Sequence, residues 1–283
     1  MFKTGLSSCI KSFVSNMHRF GLLFAVKYGL DFLGMDTYIN VCYPATGTKV
    51  RVRTDNFWKK LESGDWEKDA IEYLSTAAGQ GQTIIDAGAW IGPYTLLFSA
   101  MVANEGRVYA FEPDPEALKV LKNNVSASRC GNVCIENLCL SSNPGNAGLK
   151  TCRTTRAFGL SDSTIIQPSG KEVTGEITVP TTTIDRYCTS NGITPDGIKI
   201  DVEGAEGMVI EGARRTIARC APWVLLEFHG HLMDKQTRTE CWQNIIAGAK
   251  KIIYIDKKSQ RPRAGAGPDF LPGSQRLHVF IRY

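Results

Sequence analysis

Two short apolar runs that each end in an acid constrain this chain more than any other feature. Residues 83–95 read TIIDAGAWIGPYT and residues 107–118 read RVYAFEPDPEAL. In the first, Thr83, Ile84 and Ile85 lead to Asp86, glycines follow at Gly88 and Gly92, and residues 94–102 form an apolar run of helical length. In the second, residues 108–111 lead to Glu112, after which Pro113 and Pro115 open another helical stretch. Strand, glycine turn and helix predict a doubly wound α/β sheet. Such a sheet binds its ligand over the carboxyl ends of parallel strands.

The same residues narrow the ligand. Gly88 and Gly92 let backbone approach a bound molecule closely, and Glu112 is placed to accept two hydrogen bonds from a ribose diol. A dinucleotide site needs G-x-G-x-x-G and a helix amino terminus aimed at a pyrophosphate. Here the glycines stand four apart and Asp86 sits in the turn region. That acid repels a pyrophosphate but pairs with a cationic amine or sulfonium. S-adenosylmethionine carries both.

Four segments in order, TIIDAGAWIGPYT, FEPDPEALKVLKNNV, TTTIDRY and IKIDVEGAEGMVIEGA, resemble the FkbM-type methyltransferases. This is a branch of the class I S-adenosylmethionine-dependent enzymes whose characterised members methylate hydroxyl oxygens. The resemblance covers residues 66–228 and continues more weakly beyond. It implies a Rossmann-like, mostly parallel seven-stranded sheet with an antiparallel last strand. It also implies a cofactor site at Asp86, Gly88, Ala89, Gly92, Tyr94, Thr95, Glu112 and Pro113, with Asn137 and Leu138 bordering the adenine. Two positions depart from the pattern: Trp90 stands where the family usually has Asn, and Cys139 where it usually has Ala.

A second chemical centre lies at residues 197–206, GIKIDVEGAE. Lys199, Asp201 and Glu203 alternate with Ile198, Ile200 and Val202, so the charges share one face of a strand and its exit. Charges inside a parallel strand are costly unless paired or functional. Either Lys199 forms a structural ion pair, or Asp201 or Glu203 is the base that removes a hydroxyl proton, with Lys199 positioning it. His229, beyond the fifth strand expected at residues 223–228, is the third candidate base. A divalent cation on Asp201, Glu203 and Glu227 is chemically compatible, but no ligand spacing requires one and no metal site is assigned. The expected acceptor is a hydroxyl of a small molecule, sugar or glycan. Two other readings stay open: a nucleotide-dependent sugar-modifying oxidoreductase, and a non-catalytic cofactor-binding or membrane-recruited module.

The 283 residues suit one α/β domain with an appendage. The division expected is a helix-and-hairpin cap over residues 1–65 and a methyltransferase domain over 66–283. Residues 1–60 hold nine Lys and Arg against three acids, a net +6 in a chain of net +5, so the remainder is near neutral and no nucleic-acid partner is expected. Leu6, Ile10, Phe13, Val14, Met17, Phe20 and Phe24 mark an amphipathic helix that packs on the core or rests peripherally on an anionic membrane. Residues 20–34 are too short and too charged to span a bilayer, and the start lacks a secretory pattern. Nine cysteines, an odd number, suit a reducing compartment, and Cys130, Cys134 and Cys139 lack zinc spacing. The cytoplasm is expected. The oligomeric state is not legible.

The remaining elements follow from periodicity and turn residues. A hairpin is expected over 38–53, helices over 55–78 with a turn at 63–65, a helix over 116–128 and a third strand over 133–138. Residues 141–181 read as an irregular insertion with short strands. Helices follow at 206–218 and 236–249, and strands at 251–255 and 277–282. A long loop between those strands is expected to cover the active site.

Overall fold

The computed structural model describes residues 37–152, 163–166, 173–256, 262–264 and 276–283. The amphipathic helix expected near the start lies outside the described residues, as does most of the loop expected after residue 256. The described chain opens with a hairpin, β1 (Tyr38–Cys42) and β2 (Lys49–Arg53), paired antiparallel from Tyr38↔Arg53 to Cys42↔Lys49. The Tyr43 hydroxyl donates to the carbonyl of Pro93 (2.6 Å), and the Arg53 N–H donates to Asn124 Oδ1 (2.7 Å). Buried Asn124 donates in turn to the carbonyl of Ile91 (2.8 Å). One side chain thereby ties the hairpin to the glycine turn.

Helices α1 (Asn56–Glu62) and α2 (Lys68–Ala77) follow, with the expected break between them. Asp55 caps α1 by accepting from the Phe57 N–H (2.8 Å). Then come β3 (Thr83–Ala87), α3 (Pro93–Val102), β4 (Arg107–Phe111), α4 (Pro115–Ala127), β5 (Val133–Glu136), β6 (Cys139–Leu140), β7 (Gly145–Cys152) and β8 (Val173–Thr182). The remainder comprises α5 (Ile184–Asn191), β9 (Gly197–Ile200), α6 (Glu206–Glu211), α7 (Arg214–Cys220), β10 (Trp223–His229), α8 (Lys235–Ile246), β11 (Lys251–Asp256), β12 (Pro262–Ala264) and β13 (Arg276–Arg282).

The main sheet has the order β12–β11–β13–β10–β9–β3–β4–β5. Strands β5, β4, β3, β9 and β10 are parallel, and β13 runs antiparallel between β10 and β11. This is the expected mostly parallel seven-stranded sheet with an antiparallel last strand. The three residues of β12 extend its edge, within a stretch the sequence presents as loop. Strand order reverses at β3, whose neighbours are β4 on one side and β9 on the other, so a ligand crevice opens over these strand ends. Consecutive Ile84 and Ile85 point to opposite faces. Ile84 joins Trp58, Leu96 and Phe98 in one core, and Ile85 joins Ile198, Phe228 and Trp242 in the other. Full burial of such side chains contributes about 1.5–3 kcal/mol each and holds helices on both faces.

Three expectations need correction. The third strand ends at Glu136, because Cys139 and Leu140 leave to pair with β8 in a second sheet of order β6–β8–β7. The supposedly irregular insertion contains a long hairpin, β7 against β8 from Gly145↔Thr181 to Cys152↔Val173. Its backbone pairing needs no apolar face, and in β8 only Val179 and Thr182 are buried, which leaves no alternation to read. The single helix over 206–218 is two, α6 and α7. A Cβ on Gly212 would come within 2.2 Å of the Ser141 carbonyl oxygen, and Asp185 accepts from the N–H groups of Arg215 (3.1 Å) and Thr216 (2.7 Å), giving α7 its own start.

Candidate active site

A cavity of about 430 Å³ lies at the carboxyl ends of β3, β4, β9 and β10, with α1 and residues 163–165 on its rim. Gly88, Glu112, Pro113 and Leu138 line it among the residues expected to hold a cofactor, and Asp201 and Glu203 among those expected to do chemistry. Glu112 is buried, with Oε2 accepting from the Trp90 N–H (2.7 Å) and Oε1 from the Asp114 N–H (2.8 Å). Each oxygen keeps a further acceptor position for a ligand hydroxyl. Burial pushes the Glu112 pKa up to about 7 against the pull of those two N–H groups.

Both glycines of the turn meet protein where a side chain would be. At Gly88 (φ +74°) a Cβ would lie 1.9 Å from the Asp201 carbonyl oxygen, and at Gly92 (φ +96°) 2.8 Å from Leu121 Cδ1. Between them Trp90 sits at φ +50°, a left-handed conformation that Asn tolerates and most residues resist. Trp90 is held by its N–H bond to Glu112 and by an edge contact with the Phe57 ring, centroids 4.8 Å apart.

Asp86, Ala89, Gly92, Tyr94 and Thr95 are behind the turn, outside the cavity lining, and Asn137 is exposed beyond it. The cation beside Asp86 is the chain's own Lys199 (3.1 Å), while Thr95 Oγ1 donates to the other carboxylate oxygen (2.6 Å). Lys199 Nζ also donates to the Gly88 carbonyl (2.7 Å) and stands 3.8 Å from Asp201 Oδ2. Burial disfavours this ammonium, but Asp86 and Asp201 outweigh it and its pKa stands above the ordinary lysine value. The structural ion pair considered for Lys199 is thus present, and it links the turn to Asp201.

Asp201, Glu203 and Glu227 face one point. His229 is fully buried behind them and outside the lining, its Nε2 3.7 Å from Asp201 Oδ1, 3.6 Å from Glu203 Oε1 and 4.0 Å from Glu227 Oε1. Its Nδ1 is 2.8 Å from Glu206 Oε1, which also accepts from the Gly204 N–H. Burial opposes the imidazolium, yet Glu206, Glu203 and Glu227 raise the pKa to about 10. The last strand adds groups that the sequence reading did not single out. Register places His278 opposite Glu227 and Arg276 opposite His229. Arg276 bonds both oxygens of Glu203 (3.3 Å each), and His278 Nε2 lies 3.4 Å from Glu67, which accepts from the Tyr94 hydroxyl (2.5 Å). The signal was the two-residue step of Arg276 and His278 on a strand beside Glu227 and His229. Such a site can accept a proton, orient a hydroxyl or hold a cation.

The Methyltransferase FkbM domain model matches residues 86–251. The fold is that of class I methyltransferases, and the chain belongs to the FkbM family. Its cofactor is S-adenosylmethionine. The FkbM methyltransferase of Methylobacillus flagellatus is similar at 15% identity, covering 81% of this chain and 55% of that one, with a TM-score of 0.44. An S-adenosylmethionine-dependent O-methyltransferase of Thermotoga maritima shares 11% identity over 86% and 77%, at a TM-score of 0.45. Fibrillarin of Aeropyrum pernix, with natively bound S-adenosylmethionine, shares 11% over 87% and 100%, at a TM-score of 0.47. None of these likenesses speaks to the acceptor. No curated protein sequence matches the chain. Among the described residues no helix is long and apolar enough to cross a membrane.

Proposed function

We propose that the protein methylates a hydroxyl oxygen of a polyhydroxylated small molecule, sugar or glycan, with Asp201 as proton acceptor. The observation that carries this reading is that Glu112 and Asp201, beyond the two strands flanking β3, open into one cavity with Gly88 between them. The cavity lies within the roughly 300–1,000 Å³ of small-molecule and cofactor sites. Glu112 would take the ribose diol, Pro113 and Leu138 the adenine, and the Gly88 turn the amino-acid end. When bound, S-adenosylmethionine supplies a sulfonium methyl, which the acceptor oxygen takes as the carbon–sulfur bond breaks with its electron pair leaving on sulfur.

The chain's residues orient the acceptor and receive its proton. Asp201 takes the hydroxyl proton, and Lys199 fixes it against the turn. Glu203, Glu227 and Arg276 offer hydrogen bonds to neighbouring hydroxyls, while Phe57, Trp66 and Trp90 offer apolar faces to ring carbons. His229 holds the carboxylates from behind. The test is transfer of labelled methyl into a sugar and polyol panel. Asp201→Asn should lower turnover by about 100-fold or more while cofactor affinity stays within about 2-fold. Full turnover in that variant would remove Asp201 from the role.

Asp55, Asn56, Phe57 and Lys60 at the cavity rim support the boundary near residue 65 as that of a cap over the site. Acid-rich walls disfavour a nucleic-acid backbone as acceptor. Seven free cysteines among the described residues support a cytoplasmic setting. Peripheral membrane contact through the expected amino-terminal helix is a separate proposal. Vesicle binding unchanged by removal of residues 1–34 would end it.

A further inference from the structure

We propose that Asp201, Glu227 and His229 form a divalent-cation site, completed by Glu203, at the acceptor end of the cavity. The inference deepens the methyltransferase reading and rests on it. Its centre is His229 Nε2, an atom fully buried and without a hydrogen-bond partner. That nitrogen is aimed at three carboxylate oxygens from three different residues, at 3.6, 3.7 and 4.0 Å. These separations are too long for hydrogen bonds. They suit atoms that share an ion, because ligands about 2.0–2.4 Å from one cation stand about 3–4 Å from each other. One atom from each of Asp201, Glu227 and His229 falls within 4.8 Å of the others.

The surroundings favour the same conclusion. Glu206 takes the Nδ1 side of the ring and itself accepts from Gly204, so the imidazole is fixed with Nε2 towards the carboxylates. A carboxylate behind the distal nitrogen is the arrangement that orients metal-bound histidines and strengthens them as ligands. Arg276 faces Glu203 and Glu227 from the last strand, and His278 Nε2 lies 3.9 Å from Glu227 Oε2. Three carboxylate oxygens surround the bare nitrogen on the side away from Glu206. Mixed carboxylate and imidazole ligands suit Mn²⁺ better than Mg²⁺ or Ca²⁺.

Asp201, Glu203 and Glu227 line the cavity, so an ion there is reachable by the acceptor. It would supply Lewis-acid polarisation of the acceptor hydroxyl. Asp201 would bind through Oδ1 and keep Oδ2 for the proton. The competing occupant of the point between these groups is a proton on Nε2.

The test uses the full chain, stripped by chelation and titrated with Mn²⁺ by calorimetry and electron paramagnetic resonance. S-adenosylmethionine titrations run beside it in chelator. One Mn²⁺ per chain is expected, with affinity at least 10-fold weaker in Glu227→Gln and in His229→Gln. No Mn²⁺ binding, or equal affinity in the unmodified protein and a folded Glu227→Gln variant, overturns the cation site and leaves the proton as occupant. If His229→Gln fails to fold, Glu227→Gln decides alone. Cofactor binding retained in chelator with no Mn²⁺ binding leaves the methyltransferase reading intact. Loss of cofactor binding would strike that reading instead.

Discussion

Glu112 is the residue at which pH should speak most clearly. Its carboxyl ionises near 4.5 when exposed and near 7 here, because burial outweighs the two N–H groups that favour the charge. Between those values the native state keeps a proton that the unfolded chain has lost. Its contribution to stability is therefore largest below about pH 4.5, declines through the window and levels off above about 7. Cofactor affinity should run the other way, since the ionised carboxylate is the better acceptor for a ribose diol. Calorimetry should find several-fold tighter binding at pH 8 than at pH 6, with Glu112→Gln about 10-fold weaker and free of that slope. A slope that persists in the variant would place its origin elsewhere. Trp90→Asn tests strain at a neighbouring position. Relief of a left-handed tryptophan, about 1–2 kcal/mol, is offset by loss of a ring contact of about 0.5–1.5 kcal/mol. The melting temperature should accordingly change by only a few degrees.

At the scale of elements, the carboxyl ends of β3 and β9 are locked together. Gly88→Ala adds a Cβ 1.9 Å from the Asp201 carbonyl oxygen at a positive φ, whereas Gly47→Ala, also at positive φ, meets nothing within 4 Å. Chemical denaturation should show a cost of about 1 kcal/mol at Gly47 and about 3 kcal/mol or more at Gly88. Equal losses would mean that conformational strain alone, not the contact with Asp201, requires Gly88. Helix α4 gives a second case. Asp114 caps it through the N–H groups of Glu116 (2.9 Å) and Ala117 (3.3 Å) and accepts from Ser163 (2.6 Å). Asp114→Ala should cost about 1–2 kcal/mol and loosen the cavity rim at Ser163, visible as faster amide exchange there.

For the molecule as a whole, cofactor at about 100 times its dissociation constant should stabilise the fold by about 2.7 kcal/mol. That corresponds to a melting shift of about 5–10 °C, which Glu112→Ala should abolish at the same concentration. The parallel sheet was legible because its strands are buried on both faces and end at Asp86, Glu112 and Asp201, each beside turn residues. The β7–β8 hairpin was not, since solvent faces most of its side chains and its order comes from backbone pairing. Partners were harder to read than positions. Asp86 looked available to a cationic ligand and the acid that would pair with Lys199 was left open, yet the two satisfy one another across two strands that are 112 residues apart in sequence at the Lys199–Ala87 contact. Arg276 and His278 could be read only as sharing one face of a strand, because the β10–β13 register alone brings them to Glu227 and His229.

That register also bears on the order in which the molecule can assemble during synthesis. Strand β13 is the last of the sheet to leave the ribosome, yet it belongs between β10 and β11. Until residues 276–282 emerge, β10 has an open edge and Glu203 and Glu227 lack their guanidinium. A growing chain can therefore form the cofactor half, from β3 to β5, well before the acceptor half is electrostatically complete. Synthesis itself separates the two halves in time, and the negative end of the cavity is finished only when the final strand slides into place.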